Sequence, residues 1–183
     1  MSILRKFTED QHAMPVIETH DGATIARELE AIGVRFERWD ASVDLGQDAD
    51  QETVIAAYRP EIDRLSAECG YQSVDVVRLA RGTPNTAPLR QTFLNEHAHS
   101  EDEVRFFVEG RGAFYLRKAG HVFQVVCERN DLISVPAGTR HWFDMGKDPY
   151  FTAVRLFINP DGWVANFTGD TIADRFPRLE LVA

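Results

Sequence analysis

The stretch LNEHAHSEDEVRFFVEGRG, residues 94–112, sets His97 and His99 one residue apart and Glu103 four positions further on, before a glycine turn. Side chains at i and i+2 of a strand project to one face, about two rises of ~3.3 Å apart. Two imidazoles so placed can converge on one ion at about 2.0–2.1 Å, and a nearby carboxylate adds a hard anionic donor. With Glu101, the same residues also fit an exposed polar edge. A second stretch, SVPAGTRHWF (134–143), carries a Pro136-x-Gly138 turn that brings His141 to the start of the next strand. There it is either a further ligand or a packed neighbour of Trp142 and Phe143. Three imidazoles and one carboxylate, without a thiolate, suit a first-row divalent ion such as Fe(II), Ni(II), Mn(II) or Zn(II). A structural zinc site would be closed, usually with cysteine among its ligands. Four protein ligands on an octahedral ion instead leave two adjacent positions, which a bidentate enediolate or keto acid needs.

Residues between and beside these histidines extend the picture. Arg105 follows Glu103 by two, so it shares that face and brings a permanent positive charge suited to a dianion; as a plainer alternative, it is a charge partner for Glu103. Glu96 and Asp102 fall on the opposite parity, which suits either indirect support of the ligands or ordinary solvated carboxylates. Trp163, in DGWVANF, either walls the pocket or packs in the core, and packing is the simpler expectation.

These side chains need a rigid frame, and the hydrophobic pattern supplies one. In HDGATIARELEAIG, Ile25, Leu29 and Ile32 recur at i, i+4 and i+7, with Asp21 as N-cap and Gly33 as stop. A short alternating VRFERW follows. DQETVIAAYRPEIDRLSAECG is a helix interrupted at Pro60, which opens a second helical segment with Ile62 and Leu65 inward. From about residue 73 the period becomes two, in SVDVVRLA, LRQTFLN, EVRFFVEG, AFYLRKAG, HVFQVVCER, DLISVPAG and YFTAVRLFIN. FVEGRGAFYL is expected to be a hairpin with a glycine-bearing turn, and GTPNTAP (82–88) a loop. In the strand before that turn, Glu103, Arg105 and Phe107 share one face and Val104, Phe106 and Val108 the other. Many short strands without long helices between them point to an antiparallel sandwich or small barrel, with the helices packed on it.

Bulk properties exclude other classes. The 183 residues fit one domain, and 44% hydrophobic content is enough for a core. A net charge of −9, with no run of lysine or arginine longer than two, argues against nucleic acid or anionic membrane as partners. Cys69 and Cys127 are too few for a disulfide framework and read as small buried hydrophobes. The N-terminal MSILRKFTEDQHAM has no signal-peptide core, and no apolar run spans a membrane, so a cytoplasmic location is expected.

Jointly, His97-x-His99-x3-Glu103-x6-Gly110 and Pro136-x-Gly138-x2-His141 resemble the two-part signature of the cupin barrels. Two positions depart from it: Asn130 stands where glycine usually opens the second motif, and Met145 where asparagine usually closes it. NEHAHSEDEVRFFVEGRGAFYL, VPAGTRHWFDMG and VRLFINPDGWVANFTGDTIADRFP further resemble the acireductone dioxygenase family of methionine salvage, in blocks from about residue 70 to 177. The resemblance implies a mainly β, double-stranded β-helix (jelly-roll) domain over 1–183, with helices over about 20–70, the barrel over about 73–160 and a C-terminal extension over 161–183. It implies His97, His99, Glu103 and His141 as ligands of one Fe(II) or Ni(II), and Arg105 as the residue that generates or holds the substrate dianion. Glu96 and Asp102 would serve metal incorporation and relayed conformational change. The substrates would be O2 and the acireductone 1,2-dihydroxy-3-keto-5-methylthiopentene. Fe(II) would give 4-methylthio-2-oxobutanoate and formate; Ni(II) would give 3-methylthiopropionate, formate and carbon monoxide. The family pattern favours a monomer. Two rivals remain at this stage, another metal-dependent cupin oxygenase or decarboxylase and a non-catalytic small-molecule-binding cupin.

Overall fold

The computed structural model describes residues 1–46, 48–159 and 164–179. The helical stripes form where the periodicity predicts them. Helix α1 (Gly22–Glu30) begins at Asp21, whose carboxylate accepts from the Thr24 N–H, and buries Ile25 and Leu29. Its chain turns away at Gly33, whose φ of +81° a glycine adopts without penalty. Helices α2 (Gln51–Ala57) and α3 (Arg59–Cys69) are separate, with Pro60 in the first turn of α3, where its missing N–H costs no hydrogen bond. Ile62 and Leu65 are buried as expected.

The strands are β1 (Ile3–Thr8), β2 (Ile17–Thr19), β3 (Arg35–Arg38), β4 (Ser73–Leu79), β5 (His97–Ala98), β6 (Glu103–Lys118), β7 (His121–Glu128), β8 (Asp131–Val135), β9 (Arg140–Asp144), β10 (Phe151–Phe157) and β11 (Asn166–Phe167). One layer runs β11-β5-β9-β6-β7-β1-β2. The other runs β3-β8-β6-β10-β4, all antiparallel. Strand β6 belongs to both, its first half in the second layer and its second half in the first, so the layers close on each other as a jelly-roll barrel. The mainly β fold expected from the alternation is present.

Three local expectations are corrected. FVEGRGAFYL is not a hairpin: β6 is one strand of 16 residues that bends instead of reversing. The bend is at Gly110, φ +64°, where an added Cβ would lie 1.8 Å from the Tyr150 carbonyl oxygen. A bend there lets one strand cross from layer to layer, whereas a reversal would have left the barrel open. LRQTFLN is not a strand either: its first five residues lie in helix α4 (Thr86–Phe93), which takes the end of the GTPNTAP loop as its first turn and tolerates Pro88 there. None of its residues is fully buried, so its alternation is not a packed strand face. Finally, β1 and β2 come from an N-terminal segment given no strand by its pattern, with β1 pairing β7 over six residues.

The two faces of β6 are as the alternation predicts. Phe107 joins the barrel interior with Phe114, Phe143 and Ala153. Val104, Phe106 and Val108 pack outward with Val54, Tyr58 and Leu65 of the α2–α3 segment. Gly110→Ala should destabilise the protein by about 2–5 kcal/mol, from the left-handed backbone and the overpacking together. Urea unfolding measures this; an unchanged midpoint would mean that the bend is not fixed at this residue.

Candidate metal centre

Strands β5 and β9 bring His97 and His141 together as direct ladder partners. Their rings lie 4.5 Å apart between centroids, and His99 is 5.0 Å from His97 and 5.2 Å from His141. His99 and Glu103 do not lie on one unbroken strand: β5 ends at Ala98 and the chain bends before β6 opens at Glu103. Convergence therefore depends on that bend, which two bonds hold in place. Gly138 N–H donates to the His99 carbonyl at 2.9 Å, and Ala137 N–H donates to Asp102 Oδ1 at 2.9 Å. Asp102 thus ties the first motif to the Pro136–Gly138 turn of the second.

Each ring has a defined outer partner. His97 Nδ1 meets the Asn95 carbonyl at 2.7 Å, His141 Nδ1 the Thr139 carbonyl at 2.7 Å, and His99 Nδ1 the Val164 carbonyl at 3.3 Å. A carbonyl only accepts, so each Nδ1 carries the hydrogen, and the neutral form of each ring presents its lone pair at Nε2. Ligand atoms of the three histidines lie within 4.8 Å of one another, all buried. Glu103 Oε2 lies 2.8 Å from His141 Nε2 and 3.5 Å from His99 Nε2. Close as they are, Glu103 Oε2 and His141 Nε2 lack hydrogen-bond alignment and are both buried without a hydrogen-bond partner. Buried lone pairs facing one another repel, and a cation among them removes that cost. The residues fit a divalent ion.

The other carboxylate oxygen, Oε1, is 2.7 Å from Arg105 Nη2. Arg105 is thus the charge partner of Glu103 and also a wall of the cavity. Its guanidinium lies 4.6 Å from the Phe143 ring centroid and 5.4 Å from that of Phe114. Gly112 makes the Phe143 position possible, since a Cβ there would lie 2.3 Å from that ring. Burial opposes the Glu103 charge, but Arg105 outweighs it and holds the carboxyl well below its usual range. For Arg105, burial pulls the guanidinium below its ordinary value despite Glu103.

His97 is pulled down to about 4, by burial first and then by His141. It stays neutral near pH 7, as binding a metal would require. Between its unfolded value of 6.5 and about 4, the unfolded chain binds the proton and the folded one does not. Stability therefore falls as pH drops through that window. Thermal melts of metal-free protein should show a declining midpoint from pH 6.5 towards 4, less steep in His97→Gln; equal slopes would contradict the burial of a neutral ring.

Glu96 is buried and engaged elsewhere. Its carboxylate accepts from Thr168 Oγ1 at 2.8 Å and from Arg117 Nη1 at 3.2 Å, and Arg117 also reaches Glu9 and Asp170. It fastens the segment after β11 to β6. Trp163 lies outside the described residues. The two departures from the cupin pattern have local causes: Asn130 holds a left-handed φ of +84° and accepts from Ala41 N–H at 2.9 Å, while Met145 is buried in the barrel core. Cys127 is buried and Cys69 half-buried.

Beside the histidines lies a cavity of about 130 Å³, walled by Phe93, Phe143, Phe167 and Ala165 and charged by Glu103, Arg105 and Arg155. Arg155 was not among the expected site residues, though a lone charge in the apolar run FTAVRLF is the signal that marks it.

A model of the ARD/ARD' family matches residues 4–165. An acireductone dioxygenase of Parvibaculum lavamentivorans is 59% identical over 180 residues, 98% of each chain. The chain belongs to the acireductone dioxygenase family. An acireductone dioxygenase of Enterobacter sp. is likewise 59% identical over 179 residues, 98% of this chain and 99% of the other. The solved acireductone dioxygenase from Bacillus anthracis, with a cadmium ion in its active center, superposes with a TM-score of 0.80 at 33% identity, covering 91% of this chain and 98% of that one. Membership makes this chain a metal-binding dioxygenase of methionine salvage with a cupin-like barrel. The non-catalytic alternative is set aside. No helix among the described residues is long and apolar enough to cross a membrane.

Proposed function

We propose that the centre cleaves acireductone, 1,2-dihydroxy-3-keto-5-methylthiopentene, with O2, using one Fe(II) or Ni(II) held by His97, His99, Glu103 and His141. The observation that carries this is the set of buried lone pairs, three imidazole Nε2 atoms and Glu103 Oε2, each ring oriented by a backbone carbonyl. The cadmium in the related Bacillus anthracis enzyme supports a divalent occupant. When bound, such an ion supplies Lewis acidity and a template that orients the substrate oxygens.

The chain's own residues do the rest. Arg105 places a buried positive charge beside the carboxylate ligand and favours the enediolate dianion, which is electron-rich enough to reduce O2. Phe93, Phe143 and Phe167 suit the methylthioethyl tail and keep water from it. Asp102 acts as a positioning residue through the Ala137 bond, and Glu96 through the Arg117–Thr168 cluster. We infer that Fe(II) leads to 4-methylthio-2-oxobutanoate and formate, and Ni(II) to 3-methylthiopropionate, formate and carbon monoxide. The protein acts as a single-domain monomer in the cytoplasm, without nucleic-acid or membrane partners.

A substrate panel tests the assignment against the other metal cupin chemistries. Acireductone should be consumed with release of formate, while simple keto acids and thiols are left intact. Turnover confined to a keto acid or thiol would overturn the substrate and keep the metal centre.

A further inference from the structure

Arg155 stands opposite Arg105 in the β10–β6 ladder. Its neighbours Val154 and Leu156 pack outward under the α2–α3 segment, so Arg155 takes the inward face with Ala153 and lines the same cavity as Arg105. One strand further, its ladder partner on β4 is Asp75. Asp75 accepts from Arg155 Nε at 2.8 Å and from Nη2 at 2.6 Å. The inner face thus carries a row of Glu103, Arg105, Arg155 and Asp75, two guanidiniums side by side with a carboxylate at each end.

Like charges directly opposite in a ladder destabilise a sheet. Departures of this kind from local rules are expected at functional sites. Among the described residues of the cavity wall, Glu103 is the one carboxylate beside two guanidiniums. The two arginines also differ in depth. The Arg105 side chain is 7% exposed and that of Arg155 25%, which makes Arg155 the outer of the two, nearer to solvent.

Resting on the dioxygenase reading above, we propose that Arg155 is a second substrate-binding residue: its guanidinium draws the doubly charged enediolate into the cavity and holds an oxygen edge turned away from the metal ligands. The plainer role for Arg155 is a clamp joining β10 to β4 through Asp75. The two roles separate in their variants, because both Arg155→Met and Asp75→Asn break the clamp but only the first removes the cation.

The experiment uses Ni(II)-loaded protein without O2 and titrates it calorimetrically with oxalate, a small planar dianion. Arg155→Met should bind oxalate about 10–100-fold more weakly, the worth of one hydrogen bond to a charged group. Arg155→Lys should recover part of this, and Asp75→Asn should bind oxalate as tightly as the wild type or more so. In turnover, KM for acireductone should rise in Arg155→Met with kcat nearly unchanged. Equal oxalate affinity in Arg155→Met and wild type, or equal losses in Arg155→Met and Asp75→Asn, would overturn the proposal. Because oxalate binding needs no turnover, this outcome is independent of whether acireductone is the substrate.

Discussion

Exchanging Glu103 for glutamine should weaken binding of Fe(II) or Ni(II) by at least about 100-fold, the upper range for residues that only support a ligand. The amide keeps the shape of the side chain but loses the anion, and its NH2 cannot donate an electron pair. A second consequence concerns Arg105. Its guanidinium is almost fully buried, and Glu103 Oε1 at 2.7 Å is its counter-charge. Removing one partner of a buried pair costs about 3–5 kcal/mol, because the other charge is left uncompensated. The metal-free variant should therefore unfold at lower urea than the metal-free wild type. Glu103→Gln combined with Arg105→Met should recover much of that stability, since both charges are gone, while metal binding stays lost. Metal content after dialysis and urea unfolding of both variants check the two effects. Glu103→Gln that retains a full equivalent of metal would contradict the ligand assignment.

Arg105→Met should lower kcat/KM for acireductone by about 100–1000-fold, the usual loss when a single electrostatic stabiliser is removed. Methionine fills similar volume between Phe114 and Phe143, so the cavity wall survives without its charge. Metal should be retained, because the ion itself then compensates Glu103. Arg105→Lys should restore only part of the rate, since an ammonium has the charge but not the planar fork that reaches Glu103 and a bidentate substrate together. Steady-state kinetics on protein of verified metal content reads this out. A rate within a few-fold of wild type would reduce Arg105 to a charge partner for Glu103.

The candidate ligands were legible because their spacing carries chemistry that composition does not. His97, His99 and His141 converge as expected, and the inward set of Arg105 and Phe107 against the outward Val104 and Phe106 follows from strand alternation. Alternation does not reveal which strand pairs with which, however. FVEGRGAFYL has the composition of a hairpin, and only the Tyr150 backbone against Gly110 shows that the chain bends through instead. LRQTFLN alternates like a strand yet forms α4, held by Arg90 on the buried Asp144 at 2.7 Å, a contact 54 residues distant in sequence. Parity left Asp102 open between a supporting role and a solvated carboxylate; its bond to Ala137 exists only because two motifs 35 residues apart meet. Arg155 shows the remaining gap: a single charge in an apolar strand was visible, but its partners on β4 and β6 were not.

The most direct measurement is metal analysis of the purified protein, followed by anaerobic reconstitution with Fe(II) or Ni(II) and addition of acireductone and O2. One equivalent of either ion should bind, formate should be released in both forms, and carbon monoxide should appear only with Ni(II). Stoichiometric metal with acireductone untouched, or equal turnover by metal-free protein, would contradict the account.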